Sequence, residues 1–320
     1  MPAAQGVSAF DLERMYRSLY LIRRVEEEVA RIYPTDKVKS PIHLSIGQEA
    51  VSVGVCEALR PEDMAFGTCR GHALYLAKGG DLRRMVAELY GKASGCAKGK
   101  GGSMHLVDVG AGMMGTSAIV GTLLPNAVGY ALGCRMRGLD KVTACVFGDG
   151  AVEEGAFHES MNFASLRKLP VLFVCENNFY SIHSRLSARQ PKDDIHLRAR
   201  AYGVPSERVD GNDALAVRDA SLKAVGEIRA GDGPRFIECR TYRWKEHVGP
   251  SEDFDKGYRT LEEARPWLER DPVKLAAGRM PEDRRKALES EAEAAIKDAF
   301  AFAESAPFPD GSELLTDLFR

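Results

Sequence analysis

The chain has 320 residues, enough for one large α/β domain or two small ones with a sizeable buried core, and its 44% hydrophobic and 28% charged residues are ordinary for a soluble globular protein. Its 44 Lys and Arg against 46 Asp and Glu leave a net charge of −2, which excludes the basic excess of a nucleic-acid binder. There is no signal-peptide pattern, no apolar run near the roughly 18 residues of a membrane span and no C-x-x-C among seven scattered cysteines, so a reducing, cytoplasmic setting is expected.

Residues 8–32 read as an amphipathic helix. Ser8 can cap it with Asp11 three places on, and Leu12, Met15, Leu19, Ile22, Val25 and Val29 keep helical spacing. A second helix is expected over 47–60, stopped by Pro61, and a third from Asp81 to Tyr90, closed by Gly91. The glycine-rich "CAKGKGGSMH" (96–105) reads as a loop, "MHLVDV" as strand-like, and "GAGMMG" (110–115) as another loop. Residues 122–138 make a Gly- and Ala-rich helix whose surface permits close packing.

From Lys141 a strand–helix alternation sets in. Strands are predicted at 142–147, 171–176, 206–209 and 235–242, with helices at 152–167, 193–202 and 213–230 between them. Such alternation argues for a parallel sheet covered by helices. Residues 260–305 are charged and helical. The expected organisation is one α/β domain over 1–260 with a helical N-terminal segment, followed by a helical extension over 261–320.

Within the alternation, "VFGDGAVEEG" (146–155) ends a strand in Gly-Asp-Gly, and the next strand ends in Asn177 and Asn178. Parallel strands joined by a helix have their carboxyl ends at one rim, so Asp149 and the asparagines emerge together, about 5–10 Å apart. A carboxylate and an amide oxygen are hard ligands that suit Mg²⁺ or Ca²⁺. A helix starting near Val152 would point free N–H groups at the same rim and favour an anion, while Gly148 and Gly150 admit a close backbone approach. Cation and anion together describe a metal-bridged diphosphate.

Gly-Asp-Gly followed by Asn-Asn at this distance resembles the thiamine-diphosphate signature. The flanking "HLSIGQEA" (43–50), "RGH" (70–72), "CAKGKGGSMH" (96–105), "AIVG" (118–121), "GDGAVEEGAFHESMNFA" (148–164), "LPVLFVCENNFYSI" (169–182) and "RTYRW" with His247 resemble the alpha subunits of 2-oxo-acid and acetoin dehydrogenases. The resemblance implies a thiamine-diphosphate-binding fold, the diphosphate-binding half, and cofactors thiamine diphosphate and Mg²⁺. It implies that Asp149, the Asn178 side chain and the Tyr180 carbonyl hold the metal. Gly150 and Ala151 would offer N–H groups to the diphosphate, paired also with Arg70. The backbone of Ala118 and Val120 would meet the aminopyrimidine, Ile182 would be the apolar wedge under the cofactor, and His247 would act near its reactive carbon.

The implied reaction is decarboxylation of a 2-oxo acid such as pyruvate with acyl transfer to a lipoyl acyltransferase. The alternative is a non-oxidative carboligase or acyl transferase acting on a small carbonyl acceptor. The chain is too short to hold both halves of the active site. A separate beta subunit would bring the pyrimidine-binding half and its activating glutamate, in an α₂β₂ heterotetramer. Where the family has His-x-His-Ser, this sequence has Lys245, Glu246, His247 and Val248, so control by phosphorylating that serine does not carry over. Cys69 stands where many members have tyrosine.

Other motifs carry less. "GAGMMG" lacks the acid about 20 residues on that a dinucleotide site needs, and "GCAKGKGG" (95–102) has neither the spacing nor the Ser or Thr of a Walker loop. His158 reads as structural, and His43, His72 and His105 are candidates for the pocket wall. Glu153 and Glu154 read as first-turn residues favoured by the helix dipole rather than as catalysts.

Overall fold

In the computed structural model, which describes residues 8–317, helix α1 (Ala9–Ile32) opens as its sequence predicts: the Ser8 hydroxyl accepts from the Asp11 N–H at 3.1 Å and donates to the Asp11 carboxylate at 2.8 Å. The first seven residues, part of the stretch read for a signal pattern, lie outside the described residues. Met15, Leu19, Ile22, Val25 and Val29 are all buried. Arg23 and Glu26 are buried too, because α1 is covered on several sides; Arg23 pairs with Glu49 of helix α2 (Glu49–Glu57) and with Asp271. The N-terminal helix therefore packs into the core.

Strand β1 (Met64–Thr68), helices α3 (His72–Ala77) and α4 (Leu82–Leu89), strand β2 (Met113–Ser117) and helix α5 (Leu123–Met136) follow. Then come β3 (Thr143–Gly148), α6 (Gly155–Leu166) and β4 (Val171–Asn177), which leads into a small antiparallel hairpin, β5 (Tyr180–Ser181) and β6 (Ser184–Arg185). After α7 (Leu186–Arg189) and α8 (Ile195–Arg200), strand β7 (Ser206–Asp210), helix α9 (Ala214–Glu227) and β8 (Arg235–Arg240) complete the sheet. The chain ends in α10 (Leu261–Glu269), α11 (Pro272–Ala277) and α12 (Glu282–Ser305), the last packed along α1 and α4.

The six-stranded sheet runs β2-β1-β3-β4-β8-β7 and every pairing is parallel. Its central strands are buried on both faces with a period of two. Ala144, Val146, Leu172, Val174 and Ile237 face the layer of α1, α2, α4, α9 and α12; Cys145, Phe147, Val171, Phe173 and Phe236 face α5, α6 and α8. No described helix is long and apolar enough to cross a membrane.

The predicted strands hold to within two residues, and three expectations change. The helix expected from Val152 starts at Gly155, because Asp149–Glu153 winds as a tight 3₁₀ turn and Glu154 is extended. "MHLVDV" is not a strand beyond a single bridge at Asp108. "GAGMMG" is not a free loop: Asp108 caps a turn at Val109–Ala111, Gly112 turns at φ +77°, and the chain enters edge strand β2.

Candidate active site at the sheet's switch point

Adjacent strands β1 and β3 send their connections to opposite faces of the sheet: β1 leads into α3 and α4 on one side, β3 into α6 on the other. A crevice must open where they diverge, outside the carboxyl ends of the strands. The cleft found there is lined from β1 by Thr68, Cys69 and Arg70, from β2 by Ser117–Gly121, from β3 by Gly148–Ala151, and from β4 by Glu176, Asn178 and Tyr180–Ile182. His43, Gln48 and His247 close it.

Asp149, 1% exposed, sits at the start of the 3₁₀ turn. Burial pushes its carboxyl pKa up, against the opposing pull of the Arg189 guanidinium that it contacts. The opening N–H groups of such a turn, here Gly150 and Ala151, have no partner within it. The floor is tight: a Cβ on Gly150 would lie 2.5 Å from the Ser181 hydroxyl oxygen. Asn178 is fixed by two bonds, its Nδ2 donating to Gln48 Oε1 at 3.0 Å and its Oδ1 accepting from the Tyr180 N–H at 3.1 Å.

Across the cleft Arg70 is buried. It donates to the Leu44 carbonyl at 2.5 Å and, through Nη2, to His247 Nδ1 and the His247 carbonyl, both at 3.4 Å. An accepting Nδ1 leaves the proton of neutral His247 on Nε2. His247 stacks edge-on to His43 with 5.0 Å between ring centroids, because the 244–249 loop is laced to the 42–46 segment: Trp244 N–H donates to Ile46 and Gly249 N–H to Ile42. Burial, followed by the charge of Arg70, pushes both imidazoles down to about 3. They are neutral at physiological pH.

Ile182 has φ +55° and is 52% exposed. A β-branched residue in this region is strained and persists only when its surroundings hold it. Its carbonyl accepts from Arg243 at 3.0 Å, and Arg243 is itself locked by Asp253 and Tyr258. Ile119 and Val120 are exposed on the opposite lip.

These donors fit a Mg²⁺–diphosphate group. Among the described residues no cluster of three His, Cys, Asp or Glu could hold a metal. The donors here are instead one carboxylate, an amide oxygen and a backbone carbonyl, hard oxygens of the Mg²⁺ type. Two buried polar atoms of the wall, His43 Nδ1 and Gln48 Nε2, have no hydrogen-bond partner among the described residues.

The profile of the dehydrogenase E1 component family matches residues 17–312. The chain is 39% identical to the acetoin:2,6-dichlorophenolindophenol oxidoreductase alpha subunit of Bacillus subtilis, over 95% of this chain and 92% of that one. It is 38% identical to the pyruvate dehydrogenase E1 component alpha subunit of Rhizobium meliloti, over 95% and 89%, and 35% identical to the mitochondrial somatic form from Bos taurus, over 98% and 80%. The chain belongs to the dehydrogenase E1 component family.

In this E1 chain the fold brings Asp149, Gly150, Ala151, Asn178, Tyr180, Ile182, Arg70, Ala118, Val120 and His247, all singled out from sequence, around one cleft. Of the three candidate histidines only His43 lines it. His72 is buried between Glu26 at 3.1 Å and Ser103 at 2.8 Å, and His105 is exposed outside it. His158 bonds Tyr202 at 2.8 Å, a structural pairing.

The glycine-rich loop wraps an anion of its own chain. Glu88 of α4, fully buried, accepts from the N–H groups of Ala97, Gly99, Gly101 and Gly102 at 2.7–3.0 Å. With its donors used, the loop has no cradle left for a phosphate.

Two residues escaped sequence reasoning. Glu176, 6% exposed, lines the cleft, its carboxyl without a side-chain hydrogen bond among the described residues, and burial pushes that carboxyl up to about 7 against the pull of Arg70. Its place one residue before Asn177 at a strand's carboxyl end was the available signal. Arg189 had none, since its partner Asp149 is remote in sequence.

Proposed function

We propose that this chain is the alpha subunit of a thiamine-diphosphate-dependent 2-oxo-acid dehydrogenase of the pyruvate or acetoin type. The observation that carries the reading is the meeting of Asp149, Asn178 and the Gly150–Ala151 turn at the switch point, opposite buried Arg70.

Asp149, the Asn178 amide oxygen and the Tyr180 carbonyl hold Mg²⁺. The N–H groups of Gly150 and Ala151 and the guanidinium of Arg70 bind the diphosphate. The backbone of Ala118 and Val120 meets the aminopyrimidine, and Ile182, held in its strained conformation, supports the cofactor from below. Once bound, thiamine diphosphate supplies the electron sink that lets a 2-oxo acid lose CO₂. His247, neutral and with its proton on Nε2, offers a hydrogen-bond donor to charge developing on the substrate, and the low pKa keeps that donor uncharged across the working range.

The partner is a beta subunit that contributes the pyrimidine-binding half and an activating glutamate, in an α₂β₂ assembly. Exposed Ile119, Val120 and Ile182 on the lips of the cleft support this, since a half-site leaves apolar surface for the other half to cover. The acyl acceptor is a lipoyl-bearing acyltransferase, and the setting is cytoplasmic. Residues 1–260 form the cofactor-binding domain and 261–320 a helical extension that braces α1 and α4 through α12.

The test is turnover by the chain co-purified with its beta subunit, with and without lipoamide, read as CO₂ release over a panel of 2-oxo acids and as acetaldehyde release from acetoin. Lipoamide-dependent acyl transfer supports the reading. Decarboxylation that proceeds only to carbon–carbon ligation products supports the carboligase alternative, and failure both to decarboxylate any 2-oxo acid and to cleave acetoin refutes both.

A further inference from the structure

Arg189 has no part in the roles above, yet its guanidinium is engaged at every nitrogen. Nε donates to the Ser184 carbonyl at 3.1 Å, Nη1 to Glu153 Oε1 at 2.5 Å, and Nη2 to Asp149 Oδ2. Gln190 donates to the same Glu153 oxygen at 2.8 Å. The side chain is 10% exposed and that of Asp149 is 1% exposed, so this pairing is poorly screened by solvent. A guanidinium is a permanent cation. It rests on the carboxylate that a divalent metal needs.

We propose that Arg189 is a resident counter-cation of Asp149 that sets the affinity of the metal site, with Glu153 as the second carboxylate that takes it over. The inference rests on the Mg²⁺ reading of Asp149 given above. Two cations that share one carboxylate repel each other, so each weakens the other's hold. Asp149 and Glu153 are the two ends of one 3₁₀ turn, and the guanidinium already spans them. Metal binding at Asp149 therefore needs only a shift of Arg189 onto Glu153, where it keeps one full ion pair. The bond from Nε to Ser184 ties this shift to the β5–β6 hairpin, which carries Tyr180 and leads through Ile182. Arg189 thus links metal occupancy to the position of the residues beneath the cofactor.

Neutralising either end of the pair shifts metal affinity in opposite directions. Arg189→Gln removes the competitor and should tighten the site on the order of tenfold. Glu153→Gln leaves the guanidinium with Asp149 alone and should weaken it by a similar factor. The measurement is direct titration of Mn²⁺, as a paramagnetic stand-in for Mg²⁺, into the complex with the beta subunit and thiamine diphosphate, reading free metal by its spin resonance. Circular dichroism checks that each variant is folded. Glu153 also attracts the metal through its own charge, so Glu153→Gln is repeated in the Arg189→Gln background, where its effect should shrink to a small fraction. Opposite shifts with that loss of effect support the proposal. Shifts in the same direction, no change in Arg189→Gln, or an undiminished Glu153→Gln effect overturn it. A wild type that binds no Mn²⁺ overturns the metal reading itself.

Discussion

Glu176→Gln isolates the cost of keeping a carboxyl group in the cleft wall. Glu176 is buried, its carboxyl makes no side-chain hydrogen bond among the described residues, and its pKa is pushed up from 4.5 to about 7 by burial, with Arg70 opposing. Because the folded value is raised, the folded chain binds more protons than the unfolded chain between these two pKa values. The stability contributed by Glu176 is complete below 4.5 and is lost as pH rises through 7. A shift of about 2.5 units at 1.36 kcal/mol each amounts to about 3 kcal/mol at pH 8. Glutamine has nearly the same shape and no charge, so it escapes this loss. Urea denaturation of both proteins, without cofactor or metal and in the same assembly state, should show the variant gaining on wild type by about 3 kcal/mol between pH 4.5 and 8. A difference that stays flat with pH, or falls, would refute the assignment of a buried, unpaired carboxyl.

The histidine pair should act with the opposite sign. His43 and His247 are depressed to about 3, so their stabilising contribution is present above the unfolded value near 6.5 and is lost as pH falls; at pH 5 each should cost about 2 kcal/mol, and a His43→Gln variant should lose stability less steeply by that amount in denaturation curves at pH 5 and 7.5. Glu88→Ala strands four backbone N–H groups of the glycine-rich loop and should destabilise the chain by at least about 3 kcal/mol in the same measurement, with faster proteolysis at 96–102; an unchanged midpoint would contradict the anion-nest account. His247→Ala should lower turnover on the best 2-oxo acid far more than it weakens cofactor binding, on the order of a hundredfold against a few-fold; equal effects on both would make it a binding residue only.

The site was more legible than the scaffold around it. That Asp149 and Asn178 would meet could be read because parallel strands joined by a helix end at one rim, and both line the same cleft. The central strands β3 and β4 were legible because both faces are buried, which makes "TACVFG" and "VLFVCEN" near-continuous apolar runs. Strands β1 and β2, "MAFGT" and "MMGTS", were not, since each is five residues long, contains glycine and lacks β-branched residues apart from threonine. Helix α3, "HALYLA", has too few residues for a helical period to show. The glycine-rich loop invited a phosphate reading because N–H-rich backbone looks alike whether its anion is a ligand or, as here, Glu88. Pairings such as Arg189 with Asp149 depend on the folded path of the chain and leave no local pattern to read.

The central claim is that the switch-point cleft binds Mg²⁺ and thiamine diphosphate through Asp149. Isothermal titration of thiamine diphosphate into the complex with the beta subunit, with Mg²⁺ and then with a chelator, for wild type and Asp149→Asn, tests it most directly. The account predicts saturable, Mg²⁺-dependent binding by wild type, severely weakened in the variant because a charged hard ligand has become neutral. Equal affinity in the two proteins, or binding indifferent to Mg²⁺, would contradict it.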